Sequence, residues 1–263
     1  QAKTSHINGV FNCVCIVDID SSTAGATKYD DVKRQKEKQA VTSANCYAVW
    51  LYAKVGDVIY AGSAMAAAAT VATDANNGDI PNVSPDNKPI SISAACLKDG
   101  TEVLLDQEQA NVVNSFGVAT WLNMNGFRLW GNNTAAYPGT TDPKDRWFSV
   151  RRFMSWDDNT FIQTYFQKVD DPLNKRLIEA LVDSENVRGN SFVSRGICAR
   201  YELQYIESEN PTTDLLNGTV KFHKYMSHRL TSRKLWSLIP TRFLPRWRAN
   251  PERRNKQWHW TRI

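Results

Sequence analysis

Two aspartates spaced two apart, Asp18 and Asp20, close the apolar run Cys13-Val-Cys-Ile-Val-Asp18. A carboxylate at the end of a buried strand with a second just beyond it is the arrangement of aspartate-nucleophile phosphatases. There, one carboxylate attacks phosphorus and the other moves the proton. Asp157-Asp158 or Asp170-Asp171 would then supply ligands for Mg²⁺. Such a loop carries a threonine two residues past its second Asp; this chain has Ser22 there and Thr23 one later. Acids also end strands for structural reasons, so both readings stand. Cys13 and Cys15 share one face of the same strand, but with no His near them they read as small buried hydrophobes rather than ligands. His6, His223, His228 and His259 have no metal-site spacing, and there is no P-loop, GxGxxG or GxSxG.

A second kind of chemistry is electrostatic. The net charge of +5 is an average over two unlike parts. Residues 227–263 carry ten Lys/Arg against one acid, Glu252, whereas residues 1–226 carry 22 Lys/Arg and 26 Asp/Glu. Trp236, Trp247, Trp258 and Trp260 are interleaved with the cations of that tail. Phosphate-binding charge next to stacking aromatics is the composition of a nucleic-acid binder. The tail has neither a helical nor a strand period, however, and breaks abruptly from the body. A thin catalytic inventory leaves an assembly protein as the default.

Composition bounds these choices. With 263 residues, 42% hydrophobic and 22% charged, the chain is neither disordered, collagen-like nor disulfide-dense. Its length allows one large core or two small ones. Five scattered cysteines without CxxC pairs fit a reducing compartment. Gln1 opens no basic or apolar leader, so no signal peptide is expected and the chain is read as a fragment. The most apolar run, 58–72, is about 15 residues long and falls short of the ~20 a membrane span needs.

The elements that must position these residues follow from pattern. The run 13–18 reads as a buried parallel strand, 29–44 as a surface helix with Val32, Ala40, Val41 and Ala44 as its stripe, and 46–52 as a second strand. Together they make a βαβ unit. Residues 62–73 form an Ala-rich helix stopped by Asn76-Asn-Gly78, and three prolines follow it. Asp106 is placed to cap a helix ending near 114–117, and 118–122 is a strand. A helix spans 147–169. Asp171-Pro172 signals another helix start, with Leu173, Leu177, Ile178, Leu181 and Val182 as its buried face. Alternation at Tyr201, Leu203 and Tyr205 and at Val220 and Phe222 gives an antiparallel pair around 211–218. No internal repeat is visible.

Several blocks, in order, resemble the contractile tail sheath protein of myophages, R-type bacteriocins and related prophage particles. The most specific are GFRLWGNNTAAYP at 126–138 and DRWFSVRR at 145–152. Residues 62–90, 171–186 and 207–222 are similar to the flanking helix and spacer, the following helix and the last hairpin, so the likeness covers about 13–226. The resemblance implies an α/β (α+β) fold of mixed sheets with packed helices, the βαβ part at 1–61 and the sheath core domain at 62–226. It implies a non-enzymatic subunit without cofactor or metal, stacking on itself as hexameric rings around a tail tube and contracting to drive the tube through an envelope. The tail tube, baseplate and tail terminator proteins are its implied partners, with no membrane. Assembly would take place in the bacterial cytoplasm, before incorporation into a virion tail or bacteriocin particle. Arg128, beside Trp130, can offer a fork of donors to a carboxylate, either within the fold or across a subunit contact. On the same analogy the helix from Pro172 faces the tube, with Lys175, Arg176 and Arg188 as candidate partners for its acids or as an ordinary solvated face.

Two departures from the family pattern are expected to matter. The chain starts inside that pattern, without the N-terminal arm that reaches a neighbour. After Met226 the family continues with Thr-Pro-Pro and a strand shared between subunits, whereas here Ser227-His-Arg-Leu-Thr-Ser-Arg follows. A back-translation of 227–238, read from its third base, encodes Thr-Pro-Pro-Tyr-Gln-Pro-Glu-Ala-Val-Glu-Phe-Asp. Residues 227–263 are accordingly read as an out-of-frame or disordered tail.

Overall fold

The computed structural model describes residues 6–7, 10–11, 13–168 and 174–228. All belong to the compact unit Gln1–Arg229; the unit Leu230–Ile263 lies outside the described residues, and with it nearly all of the basic tail. The strands are β1 (His6–Ile7), β2 (Val10–Phe11), β3 (Cys15–Asp18), β4 (Cys46–Val49), β5 (Tyr52–Val55), β6 (Val58–Tyr60), β7 (Ala94–Cys96), β8 (Val118–Asn123), β9 (Phe127–Trp130), β10 (Cys198–Tyr205) and β11 (Phe222–His228). The helices are α1 (Val32–Lys38), α2 (Gly62–Ala75), α3 (Gln107–Ser115), α4 (Pro143–Arg146), α5 (Phe148–Tyr165), α6 (Lys175–Ser194) and α7 (Thr212–Leu216).

The main sheet has the order β3-β4-β8-β9. β3, β4 and β8 are parallel, and β9 returns antiparallel to β8. Cys46, Tyr47, Ala48 and Val49 are all fully buried, so the central strand is apolar on both faces, as a parallel strand covered by helices must be. The expected βαβ unit is therefore present. Because β4 also pairs with β8, the sheet takes strands from both sides of residue 61. A smaller antiparallel sheet has the order β6-β5-β7, and β10 and β11 form a separate hairpin sheet.

Three boundaries differ from the sequence reading. The strand 46–52 is interrupted: Leu51 takes φ 84° and turns the chain out of β4 into the second sheet as β5. Trp50 and Trp121 hold this corner, their indole N–H groups donating to Ala26 O at 2.9 Å and Leu51 O at 3.1 Å. The helix 29–44 is a 3-10 turn at Tyr29–Asp31 followed by α1, closed early by Ala40 at φ 51°. Ala40, Val41 and Ala44 thus lie beyond its end, and Val32 is the stripe residue it buries. The third is α6, which begins at Lys175, with Asn174 Oδ1 accepting from the Leu177 N–H at 2.8 Å. Asp171, Pro172 and Leu173 lie outside the described residues. The buried positions of α6 are Ile178, Glu185, Gly189 and Phe192; Leu177, Leu181 and Val182 are half-buried.

Other local signals are realised directly. Asp106 and Gln109 form a reciprocal capping box on α3. The apolar run 58–72 is divided between β6 and α2, and no helix among the described residues is long and apolar enough to cross a membrane. Gly126 (φ 104°) and Gly131 (φ 145°) bracket β9 as its turns require. After Gly131 the chain dives inward, and Asn132, Asn133, Thr134 and Ala135 are all buried. Each polar side chain there finds a partner: Asn132 with Ser149, Asn133 with Asn114 O and Arg146, Thr134 with Asp145 O. The most specific block of the sequence is therefore a polar plug sealing one end of the main sheet.

Lys36 secures that plug from the other side. Its ammonium donates to Phe116 O at 2.6 Å and Tyr137 O at 2.8 Å. Burial lowers its pKa to about 8, against 10.5 when free. Between those values the unfolded chain binds the extra proton, so the protonation penalty carried by the native state at neutral pH is relieved as pH rises from 8 towards 10.5. Urea denaturation at pH 7.5 and pH 10 should show wild type gaining about 2–3 kcal/mol relative to Lys36→Met over that interval. Parallel pH profiles for the two proteins would rule this account out.

Candidate functional site

The carboxylates with catalytic spacing are occupied by the fold. Asp18 accepts from Ser63 N at 2.7 Å and Ser63 Oγ at 2.5 Å, capping the first turn of α2 from the end of β3. Gly62 permits this close approach, since a Cβ there would lie 2.2 Å from Leu51 O. Asp20 accepts from the backbone N–H of Ser22 at 3.0 Å and from its hydroxyl, and the backbone bond holds its carboxyl below the usual range. Both acids serve local structure. Cys13 and Cys15 are half-buried rather than buried; the buried cysteines are Cys46, Cys96 and Cys198. Among the described residues, no group of three His, Cys, Asp or Glu is arranged to hold a metal ion.

Asp157 and Asp158, the candidate Mg²⁺ ligands, instead face cations of the protein itself. Asp157 has no exposed side-chain surface, and three further elements converge on it. From α6, Arg188 donates to Asp157 Oδ1 at 2.7 Å and to Glu185 Oε2 at 3.0 Å, with a further contact to Glu185 Oε1. From β10, the Tyr201 hydroxyl lies 3.0 Å from Asp157 Oδ2, contacts Glu185 Oε1 and accepts from Arg188 at 3.0 Å. From β11, Lys224 donates to Asp157 Oδ2 at 2.8 Å and reaches Asp158. Asp170 and Asp171 lie outside the described residues.

The electrostatics are those of an internally paired network, in which Arg188 Nη1 is left buried without a hydrogen-bond partner. Burial, Asp157 and the bond to Glu185 raise the Tyr201 hydroxyl far above its usual range, so it stays protonated. Burial alone would lower the Lys224 ammonium, but Asp157 and Asp158 hold it above its ordinary value. Arg188 is likewise kept charged, its burial outweighed by Glu185 and Asp157. Gly189 makes the assembly possible. The Tyr201 ring crosses α6 so closely that a Cβ on residue 189 would sit 2.0 Å from its Cδ1. Apolar walls enclose the network: Phe153, Phe192, Ile197 and Cys198 form a second core, and Phe192 meets the Tyr201 ring edge-on at 6.0 Å.

The residues singled out as interface candidates separate into two groups. Arg128 finds no carboxylate; its guanidinium donates to Asn87 O at 2.9 Å and Met124 O at 3.5 Å, pinning the proline-rich stretch against β9. Trp130 donates to Asn111 Oδ1 at 3.0 Å. Arg188 points into the ion network rather than standing on an open solvated face. Lys175 and Arg176 stand exposed on the first turn of α6, and Lys175 is 3.8 Å from Glu179. Sequence reasoning missed Glu185 and Lys224 altogether and read Tyr201 only as a strand position. A carboxylate seven residues after Ile178, on the buried stripe of α6, was the one available signal.

A network that closes on itself, and a signature loop that plugs a sheet, define a protein whose polar groups hold a scaffold together. The comparisons agree with that class. The chain is 31% identical over 114 residues, 43% of its length, to the tail sheath protein of Burkholderia phage BcepMu, of which this is 24%. It is 27% identical over 132 residues to the tail sheath protein of Escherichia phage P2, covering 50% of this chain and 32% of that one. Its structure matches the contracted helical sheath of the anti-feeding prophage with a TM-score of 0.66 at 17% identity, over 83% of this chain and 59% of that one. The chain thus has the fold of contractile sheath proteins and is similar in sequence to phage tail sheath proteins. It spans about a quarter to a third of the curated relatives it matches. No protein-family profile matches it. Neither the phosphatase nor the nucleic-acid reading gains support from these likenesses.

The network sets stability differences that chemical denaturation can read. Arg188→Met leaves two buried carboxylates without their guanidinium and should cost about 3–5 kcal/mol. Tyr201→Phe should cost about 1–3 kcal/mol. Lys175→Ala and Arg176→Ala, on the exposed turn, should stay within ~0.5 kcal/mol. Equal losses for Arg188→Met and Lys175→Ala would contradict the network described.

Proposed function

We propose that this chain is a structural, non-enzymatic subunit of a contractile phage-type tail sheath. Copies stack as hexameric rings around a tail tube and contract to drive the tube through a target envelope, using neither cofactor nor metal. The sheath fold over 83% of the chain supports this reading, and sequence likeness to two phage tail sheath proteins supports it independently. The free energy of contraction resides in subunit contacts that differ between an extended and a compact state. The tube, the baseplate and a tail terminator are the partners this role requires, with assembly in the bacterial cytoplasm and residence in a virion tail or bacteriocin particle. Lys175 and Arg176, both exposed on one helical turn, are the residues we assign to acids of the tube. Such exposed pairs are individually worth ~0–1 kcal/mol and release readily.

We further propose that residues 227–263 are read out of frame. The supporting facts are the abrupt shift to ten Lys/Arg against one acid and the Thr-Pro-Pro reading of the adjacent frame. Ser227 and His228 extend β11 beyond Met226, and the pairing loses its regular register there, with a shift between Cys198 and Arg200.

Resequencing the gene from the Lys221 codon, with intact-mass analysis of the natural protein, tests the frame directly. A Thr-Pro-Pro continuation is expected. Negative-stain microscopy then tests the function: with a cognate tube, the frame-restored chain should form long, ordered sheaths, and the chain ending in the basic tail should not. Sheaths from neither protein would remove the sheath reading, and sheaths from both would remove the frame reading.

A further inference from the structure

Two grooves of opposite charge lie at opposite ends of the β10–β11 hairpin. At the connecting end, where Tyr205 pairs with Phe222, a groove of about 830 Å³ runs between the start of α6 and the connection that carries α7. Its charged lining is Glu179, Asp183 and Glu207 against Lys175 alone. Its apolar surface includes Ile178, Val182 and Leu216, the last 82% exposed. At the other end, where Arg200 pairs with Ser227, a groove of about 600 Å³ separates α5 from the hairpin. Here Lys224 is already bound by Asp157 and Asp158, which leaves the exposed Lys144 and Arg200, paired only at the surface with Asp145 and Glu202, as the basic rim beside the apolar side chains of Met154, Tyr225 and Met226.

The two ends are five strand residues apart, about 17 Å at ~3.4 Å per residue. Each groove combines apolar surface with an excess of one sign of charge, and each supplies what the other lacks. We propose that they are the two halves of one contact between copies of this chain, the acidic groove of one copy receiving the basic rim of the next. That the partner is another copy rests on the sheath reading; which surfaces meet rests on their complementarity. A symmetric contact of like groove with like groove would oppose Glu179, Asp183 and Glu207 to themselves, which is repulsive. The head-to-tail contact leaves one groove of each kind free on every pair, so it propagates rather than closes. Leu216 and Tyr225, both well exposed in the single chain, become covered. Arg200 pairs with Glu202 and lies over the Tyr225 ring, and Glu179 pairs with Lys175; both charged side chains are well exposed, so they can exchange those partners without disturbing the interior.

The test mixes unlabelled and ¹⁵N-labelled full-length chain and applies a zero-length carbodiimide cross-linker at low salt. Mixed-isotope peptides joining Lys144 to Glu179, Asp183 or Glu207 are the expected result. High salt should suppress them. Arg200→Glu should reduce them about tenfold, as should Glu179→Arg, while mixing those two variants should restore links between unlike copies. Both substitutions are on exposed side chains, and an unchanged thermal melt confirms that each variant is folded. Absence of intercopy links at these residues overturns the proposal, as does a closed dimer that links both grooves at once. Links in the frame-restored chain without tubular assemblies on a cognate tube would leave the contact standing and remove the sheath reading. Tubes without these links would remove the contact alone.

Discussion

The carboxylate of Asp157, with no exposed surface, is the constraint on which the second half of the molecule depends. Taking such a charge out of water is tolerable only when cations and donors surround it. Arg188, Tyr201 and Lys224 do this from three further elements, and each can reach it in only one arrangement of α5, α6 and the β10–β11 hairpin. Two strands alone would be marginal in water, so this hairpin needs a support, and α6 supplies it through Gly189 and the ring of Tyr201. A one-residue slip of β10 would carry Tyr201 to the opposite face and leave Asp157 and Glu185 short of a donor. The network thus selects a register, which matters more than any net stability it adds.

The first core is organised on the opposite principle. β4 is apolar on both faces, and Tyr47 stacks on Phe148 at 4.0 Å, so packing dominates that centre, with the Tyr47 hydroxyl and the Trp50 and Trp121 indoles donating to buried carbonyls. Polar groups appear at its rim, where Asp18 caps α2 and the 132–134 plug saturates its own side chains. Phe148 joins the two regimes: it packs in the first core and opens α5, which carries Phe153 and Asp157 into the second. The block of sequence that looks most family-specific, 126–152, is therefore the stretch that leads from one core to the other.

This division explains what was legible in the sequence. Local devices could be read directly: the helix cap at Asp106, the βαβ order and the alternation of the last hairpin. All are set by neighbours a few residues apart. The departures at Ala40 and Leu51 arise from positive φ at residues other than glycine, which sequence pattern does not announce; tertiary contacts such as Trp50 to Ala26 hold the second. Arg188 was not legible as a network residue because its i−3 partner, Glu185, looks like an ordinary surface pair on a helix. Only Asp157, 31 residues back, and Lys224, 67 residues beyond Asp157, turn that pair inward. Partners so far apart leave no spacing to read in a single sequence.

The same division bears on how a sheath subunit would move. A lattice that rearranges must break some contacts and keep others, and the order of breaking follows from their depth. Exposed pairs such as Arg200–Glu202 or Lys175–Glu179 are worth ~0–1 kcal/mol each and exchange partners at small cost. Opening the Asp157 network strands buried charge, at about 3–5 kcal/mol for a lost partner. Under load, contacts made by the surface charges yield first, and the hairpin stays fixed to α5 and α6. In a sheath that rearranged as proposed, the second core would travel as a rigid body, and the free energy of the transition would lie between subunits rather than within them.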